Sequence, residues 1–139
     1  MKIHLANRQD KLKIPAVKIR RLARKILDGE KIKKRGWLNF CFVDDRQIQK
    51  YNARFLKQPG PTDVLAFNSS GKDNPDLLTA DIMISAQTAL RQAATFKTSP
   101  EYELLLYVAH GILHILGYQD QKPGQIKRMR KKENLYVHR

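Results

Sequence analysis

At 139 residues, with 42% hydrophobic and 29% charged side chains, the chain fits one folded domain and excludes a disordered polyelectrolyte. Its 27 Lys and Arg against 13 Asp and Glu give a formal net charge of +14, which directs attention to polyanionic partners, nucleic acid or the ribosome. The single cysteine, Cys41, rules out an internal disulfide framework and fits a reducing cytoplasm, while the apolar run Leu104–Leu116 is too short for a membrane span of about twenty residues.

In chain order, Lys2–Arg8 alternates as a first strand and offers no long apolar leader segment. Ile14–Pro15 opens a helical pattern with Val17, Ile19, Leu22, Ala23, Ile26 and Leu27 on one face and Lys18, Arg20, Arg21, Arg24 and Lys25 on the other. Asp28–Gly29 ends it, and Lys31–Gly36 makes a basic turn. Trp37–Val43 reads as a strand in which Cys41 is a small apolar residue and Trp37 serves either strand-edge packing or the stacking of a base. Asp44 or Asp45 caps a short helix to Phe55, with Ile48, Tyr51 and Phe55 as its apolar face. Gln58–Pro61 is a rigid connection, Val64–Phe67 a short buried strand, and Asn68–Asp76 a polar loop leading into a strand at Leu77–Ser85. A helix at Ala86–Phe96 follows. Ser99–Pro100 then opens a long apolar helix, and Pro123–Gly124 precede a basic one over Gln125–Asn134. This order predicts an α+β fold: a four-stranded mixed sheet, its last two strands antiparallel, covered by helices with the apolar helix at the centre.

The charge is unevenly placed along these elements. Residues 1–50 hold fifteen Lys and Arg against five acids, residues 122–139 hold seven against one, and residues 101–121 hold three acids and no Lys or Arg. Basic flanks around a slightly acidic centre suit a polyanion gripped at the surface and brought to a central cation. Within that centre, His110 and His114 stand one helical turn apart, so their imidazoles share a face. Gly117 suits a left-handed stop that folds the chain back toward Asp120. Two histidines and a carboxylate make a three-ligand set for one zinc ion, with a fourth position open to water. The competing interpretation is a core helix with hydrogen-bonded histidines, because an HxxxH spacing alone is a weak signal. Gly111 stands where HExxH carries its glutamate base, which argues against a zinc peptidase and predicts space for a nucleotide beside the site.

Three segments carry a resemblance to a known family. Pro61–Phe67 (PTDVLAF) resembles the PTDVLSF segment of the YbeY family, Ala80–Ser85 (ADIMIS) its GDIVIS strand, and His110–Asp120 (HGILHILGYQD) its HGxLHLxGYDH motif. The likeness runs from about Trp37 to Asp120 in family order and spacing. It implies a metal-dependent endoribonuclease acting on single-stranded rRNA, including the 3′ end of small-subunit rRNA, and taking part in ribosome quality control.

The sequence departs from the family pattern at two places. Asp120 replaces the third histidine, with Gln119 before it, and Leu56 stands where the family carries an arginine; Arg54 is the nearest guanidinium. The carboxylate keeps three ligands, lowers the charge of the site and widens the choice of ion from Zn2+, one per chain, to Mn2+ or Mg2+. The resemblance makes Asp63, Asp81 and Arg54 the candidate catalytic side chains, Asp63 either as base or as a residue that orients the backbone. Lys18, Arg21, Lys25, Lys34 and Arg35, joined by Arg128 and Lys131, are the candidate phosphate contacts. His4 and His138 read as surface residues. The chain is expected to act in the cytoplasm as a monomer, without a membrane, beside ribosomal or small-subunit proteins. The alternative is a non-catalytic, metal-stabilised ribosome-assembly factor that binds RNA.

Overall fold

The computed structural model describes residues 1–56, 63–70 and 73–137. The connection Gln58–Pro61, the opening Pro61–Thr62 of the PTDV segment, His138 and the side chain of Leu56 lie outside that description. The elements run β1 (Lys2–Asn7), α1 (Ala16–Gly29), β2 (Arg35–Val43), α2 (Asp45–Tyr51), β3 (Val64–Asn68), β4 (Leu77–Ser85), α3 (Ala86–Phe96), α4 (Pro100–Ile115) and α5 (Pro123–Tyr136). α2 widens at its end into a π-helical turn, Asn52–Leu56. The sheet order is β1-β2-β4-β3, with β1, β2 and β4 parallel and β3 antiparallel to β4. The expected mixed sheet with an antiparallel final pair is therefore present.

Strand alternation divides the sheet into two unlike faces. Leu38, Phe40, Phe42, Ala80, Ile82 and Ile84 are buried on one face, and α4 lies over it, packed on β3 and β4 and flanked by α1, α3 and α5. The buried side of α4 includes Leu104, Val108, Ile112 and Leu113. At about 1.5–3 kcal/mol for each large apolar side chain fully buried, these hold α4 more firmly than an exposed ion pair worth about 0–1 kcal/mol can. Asn39, Cys41, Asp81 and Met83 alternate with the core residues and face the other way. On that second face α2 covers one end only, by burying Ile48 with Val43 and Leu65.

Gly111 belongs to the packing. A Cβ there would lie 2.7 Å from Ile82 Cγ2 and 3.2 Å from Val64 Cγ2. The residue is small so that α4 can approach the sheet, and the space expected beside a nucleotide is filled by two strand side chains.

α1 and α4 run side by side in the same direction. Lys18 meets Glu101 at their starts, 2.8 Å apart, and Glu30 meets Tyr118 beyond their ends. Glu30 also accepts from Tyr136 Oη and from Lys132 Nζ, the latter at 3.0 Å. Burial works against the charge of Glu30, but the two phenols and the ammonium outweigh it and hold the carboxyl below its usual range. A second carboxylate, Asp45, ties α2 to the β4–α3 junction by accepting from Ser85 Oγ, Thr88 Oγ1 and Arg91.

Candidate metal centre

α4 begins where the sequence predicts. Ser99 Oγ accepts the Tyr102 amide at 3.0 Å, and Pro100 occupies the first turn, where a missing N–H costs no helical bond. The helix ends at Ile115, with Leu116 as its cap. Gly117 takes φ +106°, its amide donates to His114 O, and the Tyr118 amide donates to Leu113 O, both at 3.0 Å. This pair of bonds is a Schellman motif, which needs a left-handed residue at the glycine. It reverses the chain directly after His114. Glu30 then holds Tyr118, and Asp120 comes back over the last turn of the helix.

The result is a compact donor set. His110 Nε2 and His114 Nε2 are 3.0 Å apart, with ring centroids at 4.5 Å and planes at 81°. Asp120 Oδ2 lies 3.3 Å from His110 Nε2, and Asp120 Oδ1 lies 3.4 Å from His114 Nε2. A tetrahedral ion with bonds of about 2.0–2.2 Å spaces its ligands by about 3.3–3.6 Å. The histidine pair and the nearer Asp120 oxygen to each ring lie at or just under that edge length, Asp120 meeting the two rings with different oxygens, and one atom from each residue can be chosen with all three within 4.8 Å, so the residues present fit one small divalent ion. Their side chains are 22%, 31% and 36% exposed, which leaves one side of the triangle open to solvent.

Electrostatics agree with the geometry. Burial pushes the His110 pKa down, yet Glu133 and, more weakly, Asp63 and Asp120 more than reverse this and raise it. The position favours a cation. Glu133 is the residue that sequence reasoning missed: its Oε2 lies 3.5 Å from His110 Nδ1, on the ring edge facing away from the donor triangle, and its side chain is 14% exposed. A carboxylate behind a ligating histidine fixes the ring and its tautomer. Its signal in the sequence was its isolation, since Glu133 is the one acid among seven basic residues in 122–139.

The remaining candidates divide. Asp63 is half-buried, its carbonyl accepts the Ser85 amide at 2.9 Å, and its charge is felt at His110. Arg54 is exposed on the π-helical turn. Asp81 is not brought to the cluster: Ile82 points at Gly111 beneath α4, so Asp81, one residue earlier, points through the opposite face, where Asn39 Nδ2 donates to it at 3.0 Å. The basic residues split likewise. Lys18, Arg21 and Lys25 line a hollow with Ser99, Glu101 and Tyr102 at the start of α4, the end remote from the histidines. Lys18 is paired with Glu101, and Lys25 Nζ donates to Tyr136 O at 3.1 Å. Lys34 and Arg128 instead lie at the histidine end. They line two adjoining hollows, of about 350 and 880 Å3, that share Ile32 and Leu116; Lys122 lines the larger. Arg35 opens β2 and Lys131 lies on α5, both exposed.

Among the described residues no helix is long and apolar enough to cross a membrane. The family described as "Endoribonuclease YbeY" matches residues 4–139. Curated relatives of that name include one from Syntrophus aciditrophicus, 38% identical over 96% of this chain and 86% of its own length. Another, from Petrotoga mobilis, is 35% identical over 99% and 94%. The solution structure of a Thermotoga maritima protein superposes with a TM-score of 0.60 at 26% identity, covering 97% of this chain and 86% of that one. A match across nearly the full chain, in sequence and in fold, shows that this chain belongs to the YbeY endoribonuclease family.

Proposed function

We propose that the chain is a metal-dependent endoribonuclease that cuts single-stranded rRNA, in maturation of the small-subunit 3′ end and in ribosome quality control. The observation that carries this reading is the donor triangle of His110, His114 and Asp120 at tetrahedral edge lengths in a chain of this family. A divalent ion held there, zinc or else manganese or magnesium, supplies Lewis acidity toward water and toward phosphate oxygens.

The chain's own residues set up that chemistry. Glu133 is placed to accept from Nδ1–H of His110, which keeps the proton on Nδ1 and leaves the Nε2 lone pair aimed into the triangle. Asp63 adds negative charge beside His110 and is the carboxylate available to orient or accept a proton. Arg54, on the exposed π-helical turn, takes the part of the family's arginine, whose position here is Leu56, toward an incoming phosphate. Lys34, Lys122 and Arg128 line the two adjoining hollows at the end of α4, next to the turn that carries Asp120, and can hold the sugar-phosphate backbone there. The setting is the cytoplasm, with small-subunit proteins nearby and the chain as a monomer.

The test is metal analysis of the purified protein joined to cleavage of a structured rRNA fragment, with and without chelator. Stoichiometric metal and chelator-sensitive cleavage are expected. RNA binding without cleavage under metal-replete conditions would replace this reading by that of an assembly factor. Asp120 in place of a histidine is the feature that favours this second reading.

A further inference from the structure

Beyond the end that α2 covers, no described residue packs over the middle of the second face of the sheet. It holds a groove of about 510 Å3 floored by Asn39 and Asp81 and walled by Arg8, Tyr51 and Phe67. Trp37 lies two residues before Asn39 on β2 and therefore on the same face, beside Lys2, its register partner on β1. Trp37 and Tyr51 are each 40% exposed, which is unusual for aromatic side chains on or beside a sheet. On the strands that build this face Asp81 is the only acid among the described residues; across β2 the β1 residue level with it is His4, with Lys2 and Arg8 toward either end of that edge.

We propose that this face binds single-stranded RNA through its bases, one base edge donating to Asp81 over the groove and a neighbouring base stacking on Trp37. The inference rests on the chain acting on RNA, and it adds a contact that does no cutting, on the side of the sheet away from the metal centre.

Three observations select this occupant. Single strands are recognised by aromatic platforms with cations alongside, and here an exposed indole stands next to Lys2 while a phenol and Arg8 wall the groove. Asp81 pairs with Asn39, two residues along β2 from Trp37, so Trp37 and Asp81 are diagonal neighbours about 7–8 Å apart, a span that one nucleotide and the next can bridge when unstacked. The floor also carries chemistry that a purely apolar partner would leave unused. Asn39 spends one N–H on Asp81 Oδ1, which leaves Asp81 Oδ2 as an acceptor with nothing to donate. A carboxylate there takes base edges that present amino groups, those of cytosine, adenine and guanine, ahead of uracil.

The chain has one tryptophan, so its emission reports on this face alone. The full-length protein in chelator, which prevents cleavage, is titrated with 2′-O-methyl hexamers of C, A and U. Fluorescence anisotropy of the labelled hexamers follows binding in parallel with Trp37 emission. Saturable quenching of Trp37 is expected, with the U hexamer about tenfold weaker than C or A. Trp37→Ala should weaken anisotropy-detected binding about tenfold and Trp37→Phe less. Asp81→Asn, isosteric at an exposed position, should narrow or invert the ranking toward U, a change that misfolding does not produce. Binding with unchanged Trp37 emission, or with the same ranking in Asp81→Asn, overturns the proposal. So does an absence of binding. None of these outcomes bears on the metal centre, which stands or falls on chelator-sensitive cleavage; equally, quenching without cleavage would leave this surface in place and remove the nuclease reading.

Discussion

Asp120 is the side chain in which this site departs from its family's pattern. A carboxylate gives the ion negative charge that an imidazole does not, so the ion is a weaker Lewis acid and harder metals compete better. Asp120→His should therefore speed cleavage, lower the apparent pKa of its pH–rate profile and narrow the preference toward zinc, measured with zinc and manganese in parallel. Loss of metal in that variant, with a fast parent enzyme, would mean that the loop geometry is built for a carboxylate. Glu133 makes a separate demand. Glu133→Gln keeps the shape but weakens the acceptor behind His110 Nδ1, and metal affinity should fall about 10–100-fold, read by competition with a chelating dye; unchanged affinity would reduce Glu133 to a packing residue. The contrast between the two residues marks what a sequence discloses. His110, His114 and Asp120 are legible because all three hang on one helix turn and its stop. Glu133 reaches the same site from another helix, and no spacing rule connects positions 110 and 133.

α4 depends on close approach to the sheet and on its tie to α5. In Gly111→Ala, helix propensity gains about 1 kcal/mol, while pushing a methyl against Ile82 Cγ2 costs about 1–3 kcal/mol. Overpacking wins, because that methyl sits on a branched carbon and cannot swing aside. The variant should melt lower than the parent, and Ile82→Ala, which removes the obstacle, should cost less in its background than alone. The Glu30 clamp gives a pH dependence with a fixed sign. Its folded carboxyl lies below the ordinary range, so its stabilisation is complete above the unfolded glutamate pKa and is lost as pH falls through the folded value. Acid unfolding of the parent should be steeper below about pH 4 than that of Glu30→Gln; identical acid limbs would remove the clamp from the account. The elements themselves were largely legible. β4 and α3 fall where alternation and small-residue packing place them, and the Ser99–Pro100 start is where cap chemistry puts it. The π-helical turn at Asn52–Leu56 was not legible, because nothing in NARFL distinguishes a widened turn from an ordinary helix end.

Charge distribution acts over the full surface, and the fold sorts it in a way composition cannot. The α1 stripe and the basic turn look like one cationic tract in the sequence, but Lys34 of the turn lies at the histidine end, while Lys18 and Lys25 are engaged at the other. Binding of a single strand in chelator should weaken steeply with salt, each neutralised phosphate adding about −0.7 to the slope of log affinity against log salt. Neutralising Lys34, Lys122 and Arg128 together should flatten that slope by about 2, and neutralising Lys18 and Lys25 should change it less. The reverse order would route the RNA along α1.

The clamp at Glu30 also decides which parts of the protein come loose together. Tyr118 precedes Asp120 by two residues, and Lys132 and Tyr136 bracket Glu133 on α5, so a single carboxylate fastens both the loop that carries Asp120 and the helix behind His110. Breaking it frees loop and helix in one step. In hydrogen-exchange terms α5 and the α4–α5 loop should form one opening unit. An ion held by His110, His114 and Asp120 would then be retained by the same free energy that slows amide exchange along α5, and its lifetime would be set some distance away, at the end of α1.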